Sequence, residues 1–170
     1  MFVLGIDPGL TRCGYGLVAR QGQRLRAVTA GVVATDAGDP LPERLARLQG
    51  ELRALVAELE PAVVAVERVF FQVNARTAMS VGQASGLALA AAAAAGCQVV
   101  QYTANEVKQA VTGYGAAPKE QVQRMVAAQL GLAERPRPAD AADALALAVC
   151  HHAMAPLRAR LAAAGEGPGR

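Results

Sequence analysis

Four carboxylates carry the chemistry this chain could perform. Asp7 ends the apolar run Val3-Leu4-Gly5-Ile6 and is followed by Pro8-Gly9. Glu67 ends a second run, Ala62-Val63-Val64-Ala65-Val66. Asp140 and Asp143 lie three residues apart in Ala139-Asp140-Ala141-Ala142-Asp143-Ala144, at the head of a helical pattern. An acid at the end of a buried strand is costly to desolvate unless it is paired or holds a metal. Residues at i and i+3 share one helix face. Two strand-end acids and an acidic helix pair could together hold two divalent cations, and hard oxygen ligands suit Mg²⁺ or Mn²⁺. The plainer reading is a set of helix caps and solvated surface charges. It suits Asp140 taken alone and suits Asp7 and Glu67 less well.

The elements that must position these acids follow from pattern. Short apolar runs bounded by Gly or Pro read as buried strands. They are expected at residues 2–7, 13–20, about 25–34, 62–67 and 97–102. The first three are close enough in sequence to form an antiparallel meander, with Gly14, Gly16 and Gln21-Gly22-Gln23 marking turns. Helices are expected at about 40–60, capped by Asp39 and stopped by Pro61, and at about 75–95, capped by Asn74. Thr103-Ala104-Asn105-Glu106 has capping-box spacing, so a short helix should run to about 112. Pro118 suits a helix's first turn and Gly131 its end. The Pro-rich loop Arg135-Pro136-Arg137-Pro138 leads into a last helix at about 139–155. Three strands, then alternating helices and strands, predict an α/β fold with a mixed five-stranded sheet flanked by helices on both faces. Residues 1–156 read as one domain and 157–170 as a flexible C-terminal segment.

Composition bounds the partners. A chain of 170 residues that is 53% hydrophobic can bury a proper core. Its net charge of +3 and pI near 9.0 are compatible with a polyanion. Cys13, Cys97 and Cys150 are odd in number and show no metal-ligand spacing, which fits a reducing cytoplasm. No signal-peptide layout is present at the N-terminus, and the alanine-rich stretch from Gly86 to Cys97 is too short to cross a membrane.

Several segments in fixed order carry a resemblance. They are Ile6-Asp7-Pro8-Gly9, Gly14-Tyr15-Gly16, Glu67-Arg68-Val69-Phe70, Gly82-Gln83-Ala84-Ser85-Gly86, Val107-Lys108-Gln109, Lys119-Glu120-Gln121-Val122 and Asp140-Ala141-Ala142-Asp143-Ala144. Together they resemble the RuvC-type Holliday junction resolvases, of the RNase H-like and retroviral-integrase nuclease group. The resemblance implies an RNase H-like fold. It also implies a homodimer that nicks two like-polarity strands of four-way junction DNA symmetrically, with Mg²⁺, during recombination and repair. By the same resemblance Asp7, Glu67, Asp140 and Asp143 are the catalytic, metal-binding acids, and the branch-migration proteins RuvA and RuvB are partners. Arg68 stands where many relatives have glutamine. Position 140 is histidine in some relatives, which makes Asp140 the least strict ligand.

The same resemblance bears on other side chains. Lys108 and Lys119, the chain's only lysines, match positions where the family sets basic residues near the scissile strand. The plainer alternative is solvated helix surface. Phe70 and Phe71 follow the Glu67 strand, and aromatics on a loop beside a nuclease site can stack on unpaired bases. The resemblance favours Phe70 for that role; core packing is the alternative. Asn74 and Arg76 follow as candidate contacts to the DNA backbone. Gly82 and Gly86 share a helix face, which fits either a dimer interface or tight packing on the chain's own sheet. His151 and His152 read as ordinary helix residues. Two other functions stay open at this point. Asp7-Pro8-Gly9 with Gly14 and Gly16 also resembles the first phosphate loop of actin-like ATPases and sugar kinases, and a junction-binding module that does not cut is the non-enzymatic choice.

Overall fold

The computed structural model describes residues 1–68 and 75–165. Five strands form one sheet: β1 (Phe2–Asp7), β2 (Arg12–Gln21), β3 (Arg24–Ala34), β4 (Val63–Glu67) and β5 (Gln98–Tyr102). Their order across the sheet is β3-β2-β1-β4-β5. The β1–β2 and β2–β3 pairs are antiparallel, and β4 runs parallel to both β1 and β5. The helices are α1 (Leu41–Leu59), α2 (Ala75–Ala94), α3 (Ala104–Thr112), α4 (Lys119–Leu130) and α5 (Ala139–Gly165). This is the mixed, two-sided sheet that the pattern predicts.

Strand alternation divides the core in two. Leu4, Ile6, Leu17, Val64 and Val66 face α1 and α2, packing on Leu48, Leu52, Val56, Ala84 and Ala88. Val3, Val18, Val63 and Ala65 face α3, α4 and α5. Asp7 and Glu67 continue this second set at the carboxyl ends of β1 and β4. Both therefore rise on the side of the sheet that α5 covers.

Glycines let α5 descend onto that face. Gly5 and Gly16 pair across β1 and β2, and Gly14 pairs with Asp7. A Cβ on Gly5 would collide with the Ala144 carbonyl, one on Gly14 with the Asp140 carbonyl, and one on Gly16 with Leu145. Gly14 and Gly16 are thus not turn residues, as expected from sequence, but interior positions of β2 that seat a helix. The hairpin turn falls at Gly22, whose φ is +61°.

Two helix ends differ from expectation. Pro40, not Asp39, occupies the N-cap of α1, without a side-chain cap. Asp36 closes the preceding turn instead, accepting from the Gly38 N–H at 2.8 Å. The last helix does not end near 155 but continues past Pro156 to Gly165. Proline lacks the N–H that would bond the carbonyl four residues earlier. That carbonyl, His152 O, accepts from Arg20 Nη2 at 2.9 Å, so the break in the ladder is satisfied from β2.

Candidate active site

The four acids come from three elements and meet at one end of the sheet. β1 and β4 are in parallel register from Val3 and Val63 to Ile6 and Val66. One step further, Asp7 and Glu67 stand side by side, and their carboxyls interact. α5 begins at Ala139, with Asp140 in its first turn and Asp143 one turn on. Its glycine seat brings both over the strand ends, where Asp140 and Asp143 both act electrostatically on Asp7. The helix dipole favours acids at this end.

The environment disfavours four free charges. Burial, followed by repulsion from Glu67 and Asp143, pushes the Asp7 carboxyl up to about 7. Burial also raises Glu67, partly offset by its interaction with Asp7 and by Lys119 and Lys108. The pair therefore retains a proton toward neutrality. The outer acids are balanced differently. Arg12 Nε donates to Asp140 Oδ2 at 2.8 Å, and Lys119 Nζ donates to Asp143 Oδ2 at 2.6 Å. The Asp143 contact in turn raises the Lys119 pKa.

This donor set suits a hard divalent cation: it is all oxygen, anionic and partly desolvated. Replacing the retained proton and the two side-chain cations with metal charge would relieve the repulsion that raises Asp7. In the arrangement seen, Asp140 and Asp143 are engaged by their cations. Among the described residues no three acid, histidine or cysteine side chains are grouped to hold one ion.

The two lysines reach the site from separate helices. The Thr103 capping box fixes the start of α3: the Thr103 N–H donates to Glu106 Oε2 at 2.7 Å, and the Glu106 N–H donates to Thr103 Oγ1 at 3.2 Å. Lys108 lies one turn beyond. Lys119 opens α4 after Pro118. Both line a cavity of about 240 Å³ together with Glu67 and Asp143. Six of the sequence-predicted site residues are thus brought together. Phe70, Phe71 and Asn74 lie outside the described residues. Arg76 is in the first turn of α2, and its side chain lies outside the described positions.

Sequence reasoning passed over Arg12. The only signal was a lone basic residue five positions after Asp7, at the start of β2. It also underrated the histidines. Both are buried: Tyr102 Oη and His151 Nδ1 lie 2.9 Å apart in a hydrogen bond, and His152 Nε2 lies 3.2 Å from Val18 O. They tie α5 to β5 and β2 and thereby help fix the helix that carries two acids.

Comparisons with known proteins point to one family. The family model for crossover junction endodeoxyribonuclease RuvC matches residues 3–151. A relative from Moorella thermoacetica, named crossover junction endodeoxyribonuclease RuvC, is 53% identical over 160 residues, covering 94% of this chain and 96% of the relative. The solved structure of Thermus thermophilus RuvC is 42% identical, with a TM-score of 0.87, covering 93% of this chain and 97% of that one. T. thermophilus RuvC in complex with Holliday junction substrate is 40% identical, with a TM-score of 0.84, covering 92% and 96%. With its four acids at the ends of β1 and β4 and the head of α5, this chain belongs to the crossover junction endodeoxyribonuclease RuvC family.

Proposed function

We propose that this chain resolves four-way (Holliday) DNA junctions by symmetric, metal-dependent nicking of two strands of like polarity, in recombination and repair. The observation that carries the reading is the Asp7–Glu67 pair beneath Asp140 and Asp143. Family membership argues against a nucleotide-binding ATPase lobe. The presence of all four acids argues against a module that binds without cutting.

We assign Asp7, Glu67, Asp140 and Asp143 as ligands of Mg²⁺, two ions per site, with Mn²⁺ as the substitute. When bound, such ions activate water and neutralise charge on the transferring phosphate. The chain's own groups do the rest. Asp7 ends the central strand β1 and interacts with all three other acids, so it would help hold both ions. Lys108 and Lys119 line the same cavity as Glu67 and Asp143 and offer point charges to a strand phosphate. Phe70 is assigned to stack on a base at the crossover, with Phe71, Asn74 and Arg76 as flanking contacts.

A homodimer completes the reading, since a two-fold pair presents one site to each of two like strands. α2 offers a surface for it. A Cβ at Gly82 or Gly86 would meet nothing within 4 Å, so this small-residue face is not packed on the chain's own sheet. Among the described residues no helix is long and apolar enough to cross a membrane. A cytoplasmic protein working with RuvA and RuvB, with residues 1–156 as its nuclease domain, fits these features.

The test is cleavage of a four-way junction in Mg²⁺ or Ca²⁺ by wild type, Asp7→Asn, Glu67→Gln and Asp143→Asn. Each variant removes ligand charge without bulk, so cutting should be lost while junction binding stays. Asp140→Asn should be milder. Full cutting by Asp7→Asn would sink the assignment.

A further inference from the structure

The contact between Arg12 and Asp140 has no part in the reaction as read above. Arg12 follows the β1–β2 turn, and the chain on its N-terminal side is fixed on several sides. Gly9 lies so close to the Arg12 carbonyl that a Cβ there would collide with it. The buried Thr35 donates through its hydroxyl to Leu10 O at 2.7 Å and through its N–H to Thr11 O at 3.1 Å. Arg44, on α1, donates to Thr11 Oγ1 at 2.8 Å and to Thr35 Oγ1 at 3.0 Å. The Arg12 backbone is therefore held in place. Its guanidinium is not enclosed: the two side chains of the pair are 49% and 31% exposed, at the rim of the site.

Charge explains what the pair does. Four carboxylates meet one ammonium, on Asp143, and one guanidinium, on Asp140. Arg12 thus supplies a share of the charge that a divalent cation would otherwise bring. A half-exposed ion pair is weak and exchanges readily. A guanidinium also fits phosphate with the same fork that fits carboxylate.

We propose that Arg12 is an exchange residue. It neutralises Asp140 while no cation is bound, yields that carboxylate to an incoming divalent cation, and then takes a phosphate of the DNA strand at the rim. This rests on the metal-site reading given above. Arg12 is a positioning residue for Asp140, and the exchange makes metal loading and strand binding mutually favourable.

The test is titration calorimetry with Ca²⁺ on the full chain, free and then saturated with a four-way junction. Wild type, Arg12→Gln and Arg12→Lys are compared. Free Arg12→Gln should bind Ca²⁺ roughly three- to tenfold more tightly than wild type, because a competitor and a like charge are both removed. On the junction the difference should shrink to about twofold or less, since the wild-type guanidinium then sits on a phosphate. The slope of log junction affinity against log salt should fall by about one in Arg12→Gln and recover in Arg12→Lys. Equal or weaker Ca²⁺ binding by free Arg12→Gln, with a melting temperature matching wild type, overturns the proposal. An unchanged salt slope overturns its phosphate half. Wild type that binds no Ca²⁺ in either state would instead bring down the metal site, and the proposal with it.

Discussion

The carboxyls of Asp7 and Glu67 meet at the ends of adjacent parallel strands, and each shifts the other's titration. Burial and neighbouring acids push Asp7 up to about 7, so the metal-free protein keeps a proton where an exposed aspartate has lost it.

A pH dependence of stability follows. Between pH 3.8 and about 7 the folded protein binds a proton at Asp7 that the unfolded chain releases. Stability from this group therefore falls as pH rises through that window. In chelator, Asp7→Asn should melt higher than wild type at pH 8, by several degrees, and the gap should close toward pH 5. Added divalent cation should reverse the order at pH 8, because it binds the deprotonated pair. Thermal melts across pH 5 to 8.5 measure this. Wild type melting above the variant at pH 8 in chelator would contradict it.

How much of this was legible in the sequence depends on distance along the chain. Strand-end acids, the Thr103 capping box and the Gly131 helix end are local patterns that read correctly, whereas the Asp39 cap does not, since Pro40 holds that position. Arg12 and Asp140 are 128 residues apart, and Arg20 and the His152 carbonyl 132 apart. No window contains either pair, so neither the partner of Asp140 nor the run of the last helix beyond 155 is legible from local pattern. Gly14 and Gly16 misled for a related reason. Glycine marks a turn or a close approach, and only the helix above them tells which.

The glycine seat makes a stability prediction. Gly5→Ala places a methyl group against the Ala144 carbonyl, and Gly14→Ala against that of Asp140. Backbone on both sides leaves little room to yield. Each change should cost at least about 1–3 kcal/mol, as overpacking does. Where the protein stays folded, α5 must lift from the strand ends, and cleavage should fall further than melting temperature alone explains. Gly86→Ala is the control, since a Cβ there meets nothing within 4 Å. Urea melts on the three variants decide it, and a wild-type midpoint for Gly5→Ala would refute the close approach.

The outward face of α2 makes a prediction about assembly. Ala84, Ala88 and Ala92 are buried inward, while Gly86 is exposed and Met79 is 66% exposed. An arginine at Gly86 has room within one chain but would obstruct a second helix drawn close. Gly86→Arg should therefore be a folded monomer by light scattering, with unchanged helical content. On a junction it should give single, unpaired nicks. A variant that remains dimeric would remove α2 from the interface.

Phe70 offers the sharpest test of how the crossover is recognised. It lies outside the described residues, so the expectation rests on its place three residues after Glu67 and on the family resemblance. A ring that stacks on an unpaired base contributes about 1–3 kcal/mol. Phe70→Ala should then cut roughly ten- to a hundredfold more slowly or bind that much more weakly, with little change in melting temperature. Phe70→Tyr and Phe70→Trp keep a flat π face and should retain most activity. Phe70→Leu is apolar but cannot stack, so it should resemble alanine. If the ring packs in the core the order inverts: leucine is tolerated, tryptophan disrupts, and alanine lowers the melting temperature. Cleavage rates and melts measured together on the four variants separate the two. An early-melting alanine variant beside a leucine variant that cuts normally would rule stacking out.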